Sequence, residues 1–166
     1  MTVVSVFPQD IADLALRVIS ENAALGRKVA LAESCTGGLV AAALTEIAGS
    51  SAVVDCSFVT YSNKAKHKLL GVSQDIIDTF GAVSVACAWA MAQGALKNSD
   101  ADVAVAISGV AGPDGGTAQK PVGLVVFAKA VRGSDDLLAE ERLFENTGRS
   151  GVRGQAVVEA LGLLLP

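Results

Sequence analysis

One stretch constrains this fold more than any other: Val29-Ala-Leu-Ala-Glu-Ser-Cys-Thr-Gly-Gly-Leu-Val-Ala-Ala-Ala-Leu44. An apolar run, Val29 to Leu31, feeds a small polar turn. The turn feeds a run rich in Ala and Leu. This order reads as strand, tight turn, helix. A turn of that kind gathers a short side chain and several unpaired backbone N–H groups in one place. Ser34 is the side chain it presents.

The rest of the chain repeats the same kinds of unit. Asp10 to Ala24 carries Ile11, Leu14, Ala15, Val18 and Ile19 at helical spacing, with Asp10 as the expected cap. Lys28 to Leu31 is a short buried strand, and Gly37 to Ile47 the next helix. Ala52 to Tyr61 is β-branched enough for a strand. Asn63 is then the expected cap of a short helix through Leu70. Ser73 to Phe80 adds a helical turn or two, and Ser84 caps a helix over Val85 to Leu96. Asp102 to Ser108 reads as a central strand. A long glycine-rich loop follows, Gly109 to Pro121. Val122 to Ala130 and Leu137 to Glu145 form an antiparallel pair about the turn Val131 to Asp135, and Gly151 to Leu164 closes the chain as a helix. Strands and helices alternate early and a hairpin comes late. That order predicts one α/β domain over residues 1–166: a three-layer α/β/α domain with a mixed, mainly parallel sheet.

Composition narrows the functional classes. Apolar residues make up 51% of the 166 but aromatics only 4%, so the core must be built from Ala, Val, Leu and Ile. The net charge is −4, and no basic stripe runs along the chain, which argues against nucleic acid as a partner. No apolar run is long enough for a membrane span. Cys35, Cys56 and Cys87 are widely spaced and odd in number. With no signal peptide read at the start, they suggest a reducing, cytoplasmic setting. His67 is the single histidine and no metal-ligand spacing is found, so no metal is expected.

Ser34 has two readings. It is a nucleophile whose oxyanion would be held by N–H groups of Cys35, Thr36 and Gly37, or Ser34 or Thr36 simply caps the helix. A nucleophilic serine needs a base. His67 sits between two lysines with nothing to turn it inward. Lys66 shares a helix face with Leu69 and Leu70, which predicts that it points toward the core or a cleft. There, burial lowers a lysine's affinity for its proton. The alternative is a surface lysine lying along apolar neighbours. Tyr61 ends a strand just before Lys66, either to relay a proton or as core. The Gly109 to Gly116 loop is able to wrap a phosphate or ribose with backbone N–H groups, with Asp114 and Thr117 as possible contacts. Its spacing matches neither a dinucleotide fingerprint nor a P-loop. Arg149 and Arg153, four residues apart, would grip a phosphate or form a solvated face.

Together these segments resemble the CinA carboxy-terminal domain family. The likeness is carried by Ala32-Glu-Ser-Cys-Thr-Gly-Gly38, Phe58-Val-Thr-Tyr-Ser-Asn63 with Lys66, Leu69-Leu-Gly-Val72, Gly81-Ala-Val-Ser84, and Ser108-Gly-Val-Ala-Gly-Pro-Asp-Gly-Gly116 with Lys120-Pro-Val-Gly123. It runs in order from about Val29 to Leu161. The resemblance implies an α/β/α fold, commonly dimeric or larger. It implies hydrolysis of the carboxamide of nicotinamide mononucleotide to nicotinic acid mononucleotide and ammonia, with neither metal nor cofactor. It assigns Ser34 as nucleophile, Lys66 and Tyr61 as its partners, and Gly112, Gly115, Gly116 and Arg149 as bounds of the nucleotide pocket. Larger members carry a further amino-terminal domain, which is not read here. Two positions depart from the family pattern: Val85, where Glu is usual, and Gly154, where a second Arg is usual. They leave open a non-catalytic pyridine-nucleotide-binding module, or an amidase for another small amide.

Overall fold

The computed structural model describes residues 5–166. Five strands, β1 (Val29–Glu33), β2 (Val54–Val59), β3 (Val103–Gly109), β4 (Leu124–Val131) and β5 (Leu138–Leu143), form one sheet in the order β2-β1-β3-β4-β5. β2 and β3 both run parallel to β1, whereas β4 is antiparallel to β3 and to β5. The mixed sheet is thus parallel at one end and a hairpin at the other. Among the described residues six helices surround it: α1 (Gln9–Ala24), α2 (Leu39–Thr45), α3 (Asn63–Leu70), α4 (Gln74–Phe80), α5 (Val85–Lys97) and α6 (Arg149–Leu163), with α3 and α4 packed on α5.

Side-chain alternation along the central strands sorts residues by size. Val29, Leu31, Val103, Val105, Ile107, Val125 and Phe127 face α1, α2 and α6. Ala30, Ala32, Ala104, Ala106, Ala128 and Ala130 face the other way, toward α5 with Cys87, Ala88, Met91, Ala92 and Ala95. A face of methyl groups lets an Ala-rich helix come close. Gly94 extends this fit to α3: a Cβ there would collide with the Leu70 carbonyl oxygen. The close approach seats α3, and α3 carries Lys66.

Several ends differ from the sequence expectation. Pro8 stands at the α1 N-cap and Asp10 lies in the first turn. β1 runs on to Glu33, two residues beyond the expected Leu31. α2 begins at Leu39, because Gly37 and Gly38 both adopt left-handed backbone. A short 3-10 turn over Ser50–Ala52 precedes β2, so that strand starts later than expected. Ser62, not Asn63, caps α3 by accepting from the Ala65 N–H, while Ser73 and Ser84 cap α4 and α5 in the same way. Each such cap contributes about 1 kcal/mol.

β1, β2 and β3 end on the same edge of the sheet. The chain leaves β1 toward β2 on one side and returns to β3 on the other. Ligands of open α/β sheets bind beyond the carboxyl ends of the strands at such a reversal. Ser34 follows β1 directly, and its N–H donates to the Ile107 carbonyl of β3 at 3.0 Å.

Candidate active site

A cleft of about 260 Å³ opens at this edge. Its lining includes Ser34, Cys35, Tyr61, Lys66, Ser108, Ala111 and Arg149. A larger hollow, about 330 Å³, lies against β5 beside Leu137, Leu138 and Leu163. It holds no serine, cysteine or histidine, so the chemistry points to the smaller cleft.

Lys66 is 1% exposed. Its Nζ lies 2.8 Å from Ser34 Oγ, 2.8 Å from the Thr60 carbonyl oxygen and 3.4 Å from that of Tyr61. No carboxylate pairs with it among the described residues. Burial therefore holds its pKa below the ordinary 10.5. A neutral amine has two N–H donors and one lone pair. Two carbonyls and a hydroxyl suit either form: an ammonium donates to all three, and a neutral amine donates to the carbonyls and accepts from the Ser34 hydroxyl.

Leu70 is buried beside Lys66 as the helix face requires, but Leu69 is exposed. His67 lies outside the cleft, with Nδ1 2.8 Å from the Val72 carbonyl at the end of its own helix. Cys35 is buried, which pushes its thiol up to about 11, the range of a structural rather than a reactive cysteine.

The backbone of the turn is divided between uses. The Gly37 N–H donates to the Ser34 carbonyl at 3.0 Å. The N–H groups of Cys35 and Thr36 donate to no acceptor of another residue among those described. Of the three expected oxyanion donors these two have no partner in another residue; Cys35 lines the cleft, whereas Thr36 is buried and neither Thr36 nor Gly37 is part of the lining. Neither Ser34 nor Thr36 caps α2. That task falls to Glu33, a residue the sequence reading missed. Its buried carboxylate accepts from Gly38 N–H at 2.9 Å, Val40 N–H at 3.2 Å and Ala41 N–H at 2.9 Å. The start of α2 already holds its anion, so that helix field is spent on Glu33 rather than on a ligand. Two signals were present in the sequence. Glu33 follows Val29 and Leu31 in strand alternation, and Gly37-Gly38 offers the helix no side-chain cap.

Tyr61 is 61% exposed and stands at the rim. Its hydroxyl accepts from Arg149 Nη2 at 2.9 Å and bonds neither Ser34 nor Lys66. Arg149 also donates through Nη1 to the Gly112 carbonyl at 2.6 Å. Gly112, Gly115 and Gly116 do not line the cleft. The loop reaches it through Ala111, while Gly112 and Gly116 lie against Val122. The Thr117 hydroxyl accepts from the Lys120 N–H within the loop, and Asp114 is exposed. Arg153 is turned from the cleft onto the carbonyls of Cys35 and Thr36, so it does not share a ligand position with Arg149. Val85 and Gly154 lie off the cleft; Val85 packs at the margin of the alanine-faced core. No cluster of three or more metal-ligating side chains exists among the described residues, and no described helix is long and apolar enough to cross a membrane.

The family model for the CinA C-terminal domain matches residues 11–166. The chain belongs to the CinA C-terminal domain family. Among its CinA relatives is a protein named nicotinamide-nucleotide amidohydrolase PncC from Enterobacter agglomerans, 50% identical over 149 residues, with 90% of each chain covered. A putative competence-damage inducible protein of Symbiobacterium thermophilum is 51% identical over 154 residues. This chain covers only 35% of that protein's length. The CinA fold is also seen in a solved structure, that of the competence/damage inducible protein CihA from Agrobacterium tumefaciens. It has a TM-score of 0.94 at 53% identity, with 97% of each chain covered.

Proposed function

We infer that this chain is an amidohydrolase that cleaves the carboxamide of nicotinamide mononucleotide, with Ser34 as nucleophile and Lys66 as its base. The observation that carries this reading is the 2.8 Å approach of a buried, carboxylate-free lysine to a serine hydroxyl in a cleft. The name of the PncC relative supports the substrate.

The contacts support the following steps. Neutral Lys66 keeps its two N–H bonds to the Thr60 and Tyr61 carbonyls and takes the Ser34 proton on its lone pair. Ser34 Oγ attacks the carboxamide carbon. The oxyanion forms against the Cys35 and Thr36 N–H groups. Lys66 returns the proton to the departing nitrogen, which leaves as ammonia, and Ser34 holds the acyl group. Water then gives one proton to Lys66 and its oxygen to the acyl carbon. The acid departs and Lys66 restores the Ser34 hydroxyl. Net, one amide and one water give one acid and one ammonia. No step needs a cofactor. Arg149, held over the rim by Tyr61 and Gly112, supplies the cation for the nucleotide phosphate. Tyr61 serves through its carbonyl on Lys66 and its hydroxyl on Arg149 rather than as a proton relay.

Ammonia release from nicotinamide mononucleotide by the purified chain, with Ser34→Ala alongside, tests the reading. Release by wild type and a loss of about 10⁴-fold or more in the variant is expected. Binding of the nucleotide without release would replace it with a binding module. Release from other small amides but not from the nucleotide would replace the substrate.

A further inference from the structure

Arg153 is half-buried on α6 and pairs with no carboxylate among the described residues. Its Nε donates to the Cys35 carbonyl at 3.0 Å and its Nη2 to the Thr36 carbonyl at 3.2 Å. The Cys35 carbonyl shares a rigid peptide plane with the Thr36 N–H, and the Thr36 carbonyl shares one with the Gly37 N–H. The first of these N–H groups has no acceptor, while the second closes the turn onto the Ser34 carbonyl. A cation bonded to one end of a peptide unit fixes its tilt and draws electron density away from the N–H at the other end.

We propose that Arg153 is a positioning residue of the oxyanion site, acting on the Thr36 N–H through the far end of its own peptide. This rests on the reading of Ser34 as nucleophile. Glu33 holds the opposite end of the same turn by its N–H groups. A cation on the carbonyls and an anion on the amides thus clamp the segment from both ends. Gly37 makes room for the clamp. Its φ is +59°, and a Cβ there would stand 3.3 Å from Arg153 Nη2. Lysine is no equivalent, because a single ammonium lacks the two diverging donors that meet both carbonyls.

The test uses the full chain as wild type, Arg153→Met and Arg153→Lys. Three quantities are read: ammonia release from nicotinamide mononucleotide, the rate at which a fluorophosphonate phosphonylates Ser34, and the melting temperature. Phosphonylation needs the oxyanion donors but none of the nucleotide contacts. Misplacing a catalytic donor costs about 100-fold, so kcat for Arg153→Met should fall by about 10–100-fold while KM stays within about threefold. Phosphonylation should slow in parallel, Arg153→Lys should recover only part of the loss, and dilute guanidinium ion should rescue Arg153→Met but not Ser34→Ala. A merely structural role would be neither rescued nor confined to kcat. Wild-type rates in Arg153→Met, or a loss confined to KM, would overturn the proposal. If Arg153→Met melts below the assay temperature, Arg153→Lys decides: wild-type kcat there overturns the proposal and an intermediate kcat supports it. Wild type that releases no ammonia, yet is phosphonylated at Ser34 in an Arg153-dependent way, would sink the substrate reading and leave the clamp standing. A wild-type Ser34 that resists the phosphonate would overturn both.

Discussion

Lys66 Nζ stands 2.8 Å from Ser34 Oγ, and its remaining partners are the two carbonyls of Thr60 and Tyr61. A lysine placed this way is set mainly by burial, which outweighs the opposing effect of Cys87 and Cys35, with no carboxylate to hold its charge. Its titration should therefore show in both rate and stability.

Turnover by a neutral Lys66 rises with pH through a pKa below 10.5 and levels above it. For stability, the unfolded chain keeps this proton up to about 10.4, while the folded chain releases it earlier. Between the two values the unfolded state binds more protons, so the burial penalty is full below the lowered pKa and is relieved as pH rises. Lys66→Met should lose both the turnover and this segment of the stability slope. Urea unfolding of both proteins at about pH 8 and about pH 10 measures it. Identical slopes would contradict the assignment.

Glu33→Ala strips the acceptor from the N–H groups of Gly38, Val40 and Ala41. Unpaired buried donors cost about 1–3 kcal/mol each, so a loss of about 3 kcal/mol or more is expected. Glu33→Gln, which keeps one acceptor oxygen, should lose less. The urea midpoint reports both, and a change under about 0.5 kcal/mol for the alanine variant would show that water replaces the carboxylate.

Arg149→Gln removes the cation at the rim. Charge-assisted hydrogen bonds contribute about 1.5–3 kcal/mol, so KM for the mononucleotide should rise by about 10-fold or more. The riboside lacking the phosphate should be affected little. Equal effects on the two substrates would remove Arg149 from phosphate binding.

Gly154 lies inside α6 with open space where a Cβ would go. Gly154→Ala should stabilise the chain by up to about 1 kcal/mol, raising the melting temperature by about 2–4 °C. An unchanged melting temperature would show that the methyl costs the folded helix as much as it removes from the freedom of the unfolded chain.

The parts of this molecule that local chemistry dictates were legible in the sequence. They include the strand-turn-helix at Ser34, the cap at Ser84, the late hairpin, and the inward turn of Lys66. The misplaced ends have physical reasons. Two consecutive left-handed glycines delay α2, and a parallel partner on each side carries β1 on to Glu33. Arg153 was legible as a neighbour of Arg149 on a helix. That one would reach the rim while the other turned to the back of the Ser34 turn depends on how α6 lies across the sheet, which spacing along one helix does not encode. Glu33 was missed for another reason, although strand alternation and the capless Gly37-Gly38 pointed to it. A carboxylate at a strand end reads as polar and exposed until the helix it caps is seen beside it.

The sorting of side chains by size across the sheet sets how this sequence is free to drift. On the face of Val, Leu, Ile and Phe, the usual lesion is a shortened side chain and a void, which neighbours are able to refill in part. On the alanine face, Val126 aside, the buried sheet residues have nothing left to shorten except to glycine. Almost every change adds atoms between sheet and α5, and added volume in a filled layer forces backbone to move. The helix displaced would be the one on which α3 rests. Variation should therefore accumulate on the branched face and be purged from the methyl face, even though the alanines themselves never touch the cleft.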